Sequence, residues 1–326
     1  MERPRGDATA ESNLAALAEA LGPSARRGMP MADFTSMRVG GPADLLVVAE
    51  SIPEVVRSVE LARQHGVVCR AIGGGCNVLV ADQGLRGLVV VNRADSISFE
   101  DERVLAESGA RLAVLAQGAV ERGLDGLAWA AGLPGTVGGA VVGNAGAFGG
   151  DIAQVLHSAT VLAPEGRVEE KANDWFEFSY RGSRIKRKGT SAQQGDRCES
   201  IVVITVSFEL ERGDAEDLRV RADDILTWRR LRHPSGATMG STFKNPADHH
   251  AGRLIEAAGL KGYRIGGAEI SEQHANFLTN VGGATAADVM ALIEHAQTEV
   301  ARQFGISLEL EIELLGWSVS RSRRGR

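Results

Sequence analysis

The sequence Gly132-Leu133-Pro134-Gly135-Thr136-Val137-Gly138-Gly139-Ala140 lies inside a segment, residues 126–150, that carries no charged side chain. The segment continues as Gly143-Asn144-Ala145-Gly146-Ala147-Phe148-Gly149-Gly150 and contains nine glycines in all. Its length would suffice to span a bilayer, but an Ala/Gly composition supplies too little apolar side chain for insertion. Because glycine lacks a Cβ, its backbone can approach an anion closely and adopt positive φ. The stretch therefore predicts a buried, close-packed segment that can meet a phosphate.

Two further Gly-rich segments precede this one along the chain. They read Arg38-Val39-Gly40-Gly41-Pro42-Ala43-Asp44 and Gly73-Gly74-Gly75-Cys76-Asn77. None of the three spells GxGxxG ahead of a helix, and no GxxxxGKS or GxxxxGKT sequence occurs, which disfavours Rossmann and P-loop sites. A tight turn in a compact sheet explains any one of them equally well. Three together favour a site for a phosphate-bearing ligand.

Composition limits the classes of function. The chain has 326 residues, 44% of them apolar, and 36 basic against 42 acidic side chains give a net charge of −6. That length suits about two domains, and the charge balance argues against a nucleic-acid partner because phosphate neutralisation needs clustered Lys and Arg. Cys69, Cys76 and Cys198 match no zinc or CxxC spacing, so we expect neither disulfides nor a metal. The N-terminus lacks a signal-type apolar core, so we expect a cytoplasmic protein with no membrane partner.

Helix and strand signals alternate without regular βαβ repetition, which predicts an α+β fold. Leu14, Leu17 and Leu21 mark a peripheral N-terminal helix. Ser51 and Glu54 have the spacing of a capping box for the next helix. Helices are predicted at about 52–65, 112–122, 214–231 and 250–258, and strands at 44–48, 67–72, 78–80, 87–92, 104–108 and, broken at 164–166, across 158–211.

The last hundred residues hold the clearest periodic patterns. A helix begins at Thr285 and ends at Gly305, with apolar side chains at the helical period. The next segment, Ile306-Ser307-Leu308-Glu309-Leu310-Glu311-Ile312-Glu313-Leu314, alternates strictly and predicts a strand. Its apolar face is expected in the core, which leaves the three glutamates on the other face.

Several motifs follow one another in a fixed order over residues 30–316. They are Thr35-Ser36-Met37-Arg38-Val39-Gly40-Gly41-Pro42-Ala43-Asp44, Tyr180-Arg181-Gly182-Ser183, Gly240-Ser241-Thr242-Phe243-Lys244-Asn245-Pro246, Ala251-Gly252-Arg253-Leu254-Ile255-Glu256, Ile265-Gly266-Gly267-Ala268 and His274-Ala275-Asn276-Phe277. The three Gly-rich segments resemble the FAD-binding fold of the vanillyl-alcohol-oxidase and cresol-hydroxylase type. With the ordered motifs, the chain resembles the family of UDP-N-acetylenolpyruvoylglucosamine reductases (MurB). The short connection from Asn245 to Ala251 resembles the compact type II members.

The resemblance implies two domains and a cofactor. It implies an FAD-binding domain of two lobes at 31–213 and a C-terminal α+β substrate-binding domain at 214–316, flanked by a peripheral segment 1–30 and a basic tail 317–326. The implied reaction is the NADPH-dependent reduction of UDP-N-acetylglucosamine enolpyruvate to UDP-N-acetylmuramate, a peptidoglycan precursor, by a monomer with non-covalent FAD. In it, flavin N5 gives a hydride to the methylene carbon, and a carbanion develops beside the carboxylate.

The resemblance also assigns residues. Arg181 matches the arginine that polarises the substrate carboxylate, Ser241 the serine that delivers the proton, and Glu311 the glutamate of the terminal strand, with Glu309 as the fallback register. The implied substrate contacts are Lys244, Asn245, Gln273, His274 and Asn276. The implied FAD contacts are Arg38, Gly40, Gly41, Gly73, Gly74, Gly75, Cys76, Asn77, Gly135, Thr136, Gly138, Gly139, Asn144, Gly146 and Ala147.

Alternatives stay open at this point. Read without the resemblance, Ser241 is a turn or cap hydroxyl, Arg181 a surface ion-pair former and Glu311 a solvent-facing carboxylate. Cys76 stands where the family usually has serine, and its thiol is a poorer hydrogen-bond partner for pyrophosphate. A covalent flavin link at Cys76 is a disfavoured alternative. Two other functions compete: an FAD-dependent oxidase or dehydrogenase of an alcohol or sugar, and a non-enzymatic nucleotide-sugar or flavin-binding module.

Overall fold

The computed structural model describes residues 6–191 and 201–317, and these residues divide into two compact units. The first unit takes the N-terminal residues up to Arg27 together with Leu45–Gly75 and Gly87–His233. The second takes Gly28–Asp44, Cys76–Arg86 and the residues from Pro234 onward. Cys198 and the predicted basic tail after residue 317 lie outside the described residues.

The described residues form helices and strands in mixed order, which confirms the α+β prediction. The helices are α1 (Gly6–Leu21), α2 (Ile52–Gln64), α3 (Leu112–Glu121), α4 (Val137–Gly143), α5 (Ile152–Val155), α6 (Arg184–Ser191), α7 (Ala215–Arg232), α8 (Ala251–Ala257) and α9 (Ala286–Phe304). The strands are β1 (Arg26–Pro30), β2 (Pro42–Ala49), β3 (Cys69–Ile72), β4 (Val78–Val80), β5 (Leu85–Asn92), β6 (Ile97–Glu100), β7 (Arg103–Glu107), β8 (Leu124–Asp125), β9 (Gly146–Ala147), β10 (Gly150–Asp151), β11 (Leu156–Leu162), β12 (Val168–Ala172), β13 (Val202–Glu209), β14 (Glu211–Arg212), β15 (Ala237–Ser241), β16 (Arg264–Ile265), β17 (Ala268–Ile270), β18 (Phe277–Asn280) and β19 (Glu313–Leu315).

The first unit contains an antiparallel five-stranded sheet, ordered β12-β11-β13-β7-β6. Buried side chains of α3 and α4 share one apolar cluster with the strands of this sheet. A four-stranded sheet, ordered β1-β2-β5-β3, includes the parallel pair β3–β5. The helices α1 and α2 share an apolar cluster with the strands of that second sheet. Leu17 of α1 is fully buried there, so this helix belongs to the core rather than to the periphery as the sequence suggested.

The second unit contains an antiparallel four-stranded sheet, ordered β15-β18-β17-β16. Its apolar cluster includes the buried face of α9, where the predicted residues Val289, Leu292, Ile293, Ala296 and Val300 are all buried. A separate parallel pair joins β19 to β4, with Glu313 opposite Val78.

The predicted C-terminal strand over 306–314 is wrong in extent. Regular strand structure is limited to Glu313–Leu315, and Leu310 forms an isolated antiparallel bridge with Phe243. Burial still alternates in part, because Leu308 and Ile312 are buried whereas Glu309 is exposed. The segment exchanges partners along its length, first with the chain around Phe243 and then with β4, so no continuous ladder forms.

Two helix-start predictions had different outcomes. Thr285 and Asp288 form a complete capping box at α9, and Gly305 ends that helix with φ of 67°. At α2 the predicted box is wrong, because the Ser51 side chain makes no cap hydrogen bond and Glu54 accepts instead from the amide of Glu50 at 2.8 Å. The glutamate reaches one residue past the cap, which leaves Ser51 without its reciprocal partner.

The region around α6 and α7 also differs from the sequence reading. Within the predicted strand-rich stretch 158–211, Arg184–Ser191 is a helix. Leu218 and Ala222 of α7 are buried, while Leu226 is partly exposed. The prediction placed α7 with the C-terminal domain, whereas its contacts are with α3 and the turn at 128–130 of the first unit. Among the described residues, no helix is both long and apolar enough to cross a membrane.

Asp82 provides a long-range cap for α9 within the second unit. Its carboxylate accepts from the amide of Ala286 at 2.8 Å and from the amide of Ala287 at 2.9 Å. We expect Asp82→Ala to lower the free energy of unfolding by about 1–2 kcal/mol, because two amides at the helix start lose a charged acceptor. Chemical denaturation measures this, with Glu294→Ala on the exposed face of α9 as the control. Equal losses in the two variants would contradict the prediction.

Candidate active site

Ser241 lies at the end of β15, where that strand breaks its register. β15 pairs with β18 so that Thr238 lies opposite Thr279 and Ser241 opposite Phe277, which leaves one extra residue on β15. Gly240 lies in this bulge with φ of 76°, a conformation that glycine adopts without strain. A bulge turns the following side chain away from the regular strand direction. The conformation of the bulge therefore explains why a glycine precedes Ser241. The Ser241 side chain is half-buried.

The chain after Ser241 lies beside the C-terminal glutamates. The Glu311 amide donates to the Thr242 carbonyl at 2.9 Å, and the Lys244 amide donates to the Glu309 carbonyl at 2.9 Å. These bonds belong to one compact unit. They bring onto adjacent backbone segments three residues that the sequence predicted for the site, Ser241, Lys244 and Glu311.

The two candidate glutamates differ in surroundings. The Glu309 side chain is 77% exposed, and its carboxylate lies 3.4 Å from the Lys244 ammonium. Glu311 is half-buried, and its carbonyl accepts from the Asn77 side-chain amide at 3.3 Å. The Glu313 amide donates to the Asn77 carbonyl at 2.9 Å. Glu311 is thus tied to the end of a Gly-rich segment, whereas Glu309 forms a solvent-exposed ion pair.

Two Gly-rich segments meet in the first unit. A Cβ on Gly73 would overlap the Thr136 hydroxyl, so only glycine permits this approach. A Cβ on Gly138 would lie 2.7 Å from the Ser108 Cβ, and the Gly138 amide donates to the Ser108 carbonyl at 2.8 Å. The Thr136 side chain caps α4. These contacts bring Gly73 against Thr136, the N-cap of α4, and pack Gly138, in the first turn of α4, against Ser108.

Other glycines of this region have free space beside them. A Cβ on Gly135, with φ of 112°, or on Gly143 would meet no atom within 4 Å, and on Gly139 it would meet the Thr136 hydroxyl alone, at 3.5 Å. Gly135 and Gly139 lie near the start of α4 and Gly143 at its end, and bare backbone beside open space lets phosphate oxygens approach without steric hindrance. The residues present therefore fit the pyrophosphate of a dinucleotide such as FAD.

The remaining glycines predicted to bind the cofactor have packing roles. A Cβ on Gly41 would overlap the Asp82 carbonyl, and one on Gly40 would lie 2.9 Å from the Val80 Cβ. A Cβ on Gly146 would lie 2.6 Å from the Asp151 Cβ, and Ala147 pairs with Gly150 across a short hairpin. The sequence alone does not distinguish glycines at these close-packed positions from glycines that lie beside open space.

Four more of the positions predicted to bind FAD lie in or beside the Gly-rich segments. Gly75 has φ of 62°, and Gly74 precedes it in the same turn. Cys76 follows this turn, is half-buried and forms no disulfide with a described cysteine. Arg38 has φ of 55°, and its carbonyl accepts from the Asn280 side chain at 3.5 Å.

Arg181 lies in a tight turn of the first unit. Its φ is 55°, Ser179 and Gly182 form an antiparallel bridge around it, and its guanidinium lies 5.3 Å from the centre of the Tyr180 ring. The hydroxyl of Ser183 donates to the Val142 carbonyl at 2.7 Å and so fixes the following residue. The backbone around Arg181 is therefore fixed by the bridge between Ser179 and Gly182 and by the bond of Ser183.

Asn144 holds this turn from the α4 side. The residue has φ of 43° and is 4% exposed. Its side-chain nitrogen donates to the Ser179 carbonyl at 3.1 Å and to Asp151 at 3.4 Å, and its oxygen accepts from the Ala153 amide at 3.0 Å. Sequence reasoning assigned Asn144 to FAD and did not consider Ser179 or Asp151. The side chain of Asn144 is instead engaged in fixing the arginine turn.

The polar cluster at 271–276 forms a turn with internal hydrogen bonds. The buried Ser271 hydroxyl accepts from the amides of Gln273 at 3.1 Å and His274 at 3.4 Å. His274 Nδ1 accepts from the Asn276 amide at 3.2 Å, which places the proton of the neutral ring on Nε2. Burial lowers the pKa of His274 below its ordinary value, and a backbone hydrogen bond opposes that shift. His274 is therefore a neutral donor through Nε2.

The side chains of Asn245 and Asn276 form hydrogen bonds with backbone groups. The Asn245 oxygen accepts from the Ala251 amide at 3.0 Å and so caps the start of α8. Asn276 is 4% exposed, and its side chain bonds both backbone groups of Phe243. The spacing of the motif residues gave no sign of either contact. No group of acidic, histidine and cysteine side chains that could hold a metal occurs among residues 6–191 and 201–317.

Comparison with known protein families matches both parts of the chain. Residues 43–171 match the FAD binding domain, and residues 232–315 match the C-terminal domain of UDP-N-acetylenolpyruvoylglucosamine reductase. The first match includes the Gly-rich segments at 73–77 and 132–150. The cofactor of this chain is FAD.

Relatives and a solved structure agree over most of the length. The chain is 45% identical to the UDP-N-acetylenolpyruvoylglucosamine reductase of Moorella thermoacetica over 289 residues, or 88% of this chain and 92% of the relative. It is 39% identical to that of Bacillus subtilis over 290 residues, with the same coverage. The crystal structure of the enzyme (MurB) from Thermus caldophilus superimposes with a TM-score of 0.75 at 32% identity, covering 89% of this chain and 99% of that one. The chain therefore belongs to the UDP-N-acetylenolpyruvoylglucosamine reductases, a family of FAD-dependent oxidoreductases.

Proposed function

We propose that this protein reduces UDP-N-acetylglucosamine enolpyruvate to UDP-N-acetylmuramate with NADPH, in the cytoplasm, as a step of peptidoglycan precursor synthesis. The observation that carries the proposal is the pairing of the Ser241–Lys244 segment with Glu309–Glu311 in a chain of this family. The backbone segments that carry the Ser241 hydroxyl, the Lys244 ammonium and the Glu311 carboxyl group are hydrogen-bonded to each other, and these side chains have the chemistry of the proton donor and charged groups that the reaction requires.

The reduction adds a hydride to the methylene carbon of the enol ether and a proton to the carbon that bears the carboxylate. Bound FAD supplies the two-electron exchange between NADPH and that double bond. We assign the proton to the Ser241 hydroxyl, because a developing carbanion is basic enough to take a proton from a well-placed weak acid. Gly240 supports this assignment, since the bulge just before Ser241 changes the side-chain direction relative to a regular strand while Ser241 still pairs with Phe277.

The charges of the substrate are assigned to residues of matching chemistry. The planar guanidinium of Arg181 suits the substrate carboxylate, and the turn that carries it is held by Asn144. Half-buried Glu311 is assigned to stabilise the reacting centre. Lys244, close to Glu309, is assigned to the anionic groups of the nucleotide sugar, and His274 can donate from Nε2 to its oxygens.

The proposed reductase and an FAD-dependent alcohol or sugar oxidoreductase differ in which compound bleaches the flavin absorbance. We expect the purified protein to be yellow, to lose its visible flavin absorbance with NADPH under anaerobic conditions, and to regain it when the enolpyruvyl sugar is added. Absorbance spectroscopy checks each stage. Bleaching by an alcohol or sugar and none by NADPH would contradict the proposal, and a protein that neither contains nor takes up FAD would also contradict it.

Ser241 has a matched neighbour for comparison. We expect Ser241→Ala to leave flavin reduction by NADPH intact and to slow reoxidation by the enolpyruvyl sugar at least about 10²-fold, because the proton donor is lost. Stopped-flow absorbance separates the two half-reactions. Thr242→Val is the control, because the Thr242 hydroxyl is fully buried and bonds to no described residue. Unchanged reoxidation in Ser241→Ala would remove the role assigned to Ser241.

The two glutamates distinguish the register of the C-terminal segment. We expect Glu311→Gln to slow reoxidation by the enolpyruvyl sugar about 10²-fold, because the variant loses the carboxyl group that is assigned to the reacting centre. Glu309→Gln should change that rate by less than about 5-fold, since exposed ion pairs contribute little. The same stopped-flow measurement compares the variants. A large effect in Glu309→Gln and a small one in Glu311→Gln would reverse the assignment.

A further inference from the structure

The side chain of Asn276 is bonded to the backbone of the segment that carries the proton donor. Its oxygen accepts from the Phe243 amide at 3.0 Å, and its nitrogen donates to the Phe243 carbonyl at 2.8 Å. A third bond runs from the Thr242 amide to the Asn276 carbonyl at 2.8 Å. Three hydrogen bonds from one residue therefore hold the backbone of two successive residues, Thr242 and Phe243, directly after Ser241.

Burial argues against a substrate contact for Asn276. The residue is 4% exposed, and Phe243, its partner, is 1% exposed. Both polar atoms of the amide already have backbone partners, so the side chain offers little surface to a nucleotide sugar. This corrects the role that the sequence resemblance gave to Asn276.

The turn that presents Asn276 is itself well fixed. His274 Nδ1 accepts from the Asn276 amide at 3.2 Å, and the Phe277 amide donates to the His274 carbonyl at 2.9 Å. A Cβ on Gly252 would lie 3.0 Å from the His274 ring, so the glycine of α8 gives that ring its space. Asn276 therefore links a rigid turn to a segment that has left the regular sheet.

The far side of that segment has a second set of bonds. Thr242 and Lys244 bond the backbone of Glu311 and Glu309, respectively, on this side. The segment between Ser241 and Lys244 is thus held by Asn276 on one side and by the C-terminal glutamates on the other. Loss of either partner frees the backbone that fixes the position of the Ser241 hydroxyl.

We propose that Asn276 is a positioning residue for proton transfer: its amide clamps Phe243 and thereby fixes the Ser241 hydroxyl relative to the carbanion. The inference rests on the proposed function, because it requires Ser241 to deliver the proton. Asn276 acts through the backbone and touches neither substrate nor cofactor. Small displacements of a reacting group are costly to rate, so its effect falls on the proton step rather than on binding.

The test compares Asn276→Asp with Asn276→Ser in the FAD-loaded full-length enzyme. The aspartate keeps an acceptor for the Phe243 amide but lacks the donor for the Phe243 carbonyl, and the serine is too short to make both bonds. We expect each variant to slow reoxidation by the enolpyruvyl sugar at least about 10-fold. Flavin reduction by NADPH and the Kd of UDP-N-acetylmuramate, read from the flavin spectrum, should stay within about 2-fold. The solvent deuterium isotope effect on reoxidation should rise, because proton transfer becomes slower than the other steps.

Thr285→Ala is the matched control, since it removes a helix cap from the same compact unit and lies outside the assigned site. It should lower thermal stability and leave both half-reactions and the isotope effect unchanged. If one Asn276 variant fails to load FAD, the other carries the same measurements, and failure of both while Thr285→Ala loads normally would assign Asn276 to folding alone and overturn the proposal.

Two further outcomes would overturn the proposal. A raised Kd with an unchanged reoxidation rate at saturating substrate would make Asn276 a substrate contact. An unchanged isotope effect together with a reoxidation rate like that of the wild type would leave it without a kinetic role. If the wild-type enzyme itself fails to reoxidise with the enolpyruvyl sugar, the proposed function fails instead, so the two failures are distinguishable.

Discussion

Two backbone hydrogen bonds, from the amide of Glu311 to the carbonyl of Thr242 and from the amide of Lys244 to the carbonyl of Glu309, hold the chemistry-bearing part of the second unit together. Side chains of opposite charge do not by themselves fix a geometry, because exposed pairs such as Lys244 and Glu309 contribute little and tolerate movement. Main-chain pairing is stricter, since each bond sets the distance between two peptide units. The hydroxyl, ammonium and carboxylates inherit their relative placement from it.

The glycines show why composition alone is an ambiguous guide. Gly41 and Gly73 are required because neighbouring atoms occupy the space of a Cβ, whereas Gly135 and Gly143 have nothing within 4 Å of that position. Both kinds look identical in sequence. Only the second kind leaves bare backbone available to a ligand. The first kind allows neighbouring chain segments to pack closely.

The sequence predicted the helices well where local signals agreed with long-range packing. Helix α9 has Thr285 as its N-cap and Gly305 as its C-cap, as expected, because the residues that cap a helix lie within a few positions of its ends. The same reasoning failed at Ser51, where Glu54 had a second amide within reach. It could not foresee the use of Asn276, whose partner lies 33 residues away, because a motif shows which polar groups are present but not whether the backbone has already bound them.

The parallel pair of β4 and β19 joins Val78 to Glu313, residues that are far apart along the chain. The second unit draws on Gly28–Asp44 and Cys76–Arg86 as well as on the residues from Pro234 onward. During synthesis on the ribosome, its two early segments must wait for almost the whole polypeptide before their partners emerge. Closing so long a loop is slow, so the second unit is expected to complete its folding only after Glu313 has been made, while most strands of the first can pair earlier. For the same reason, no single cut in the chain would liberate either unit intact.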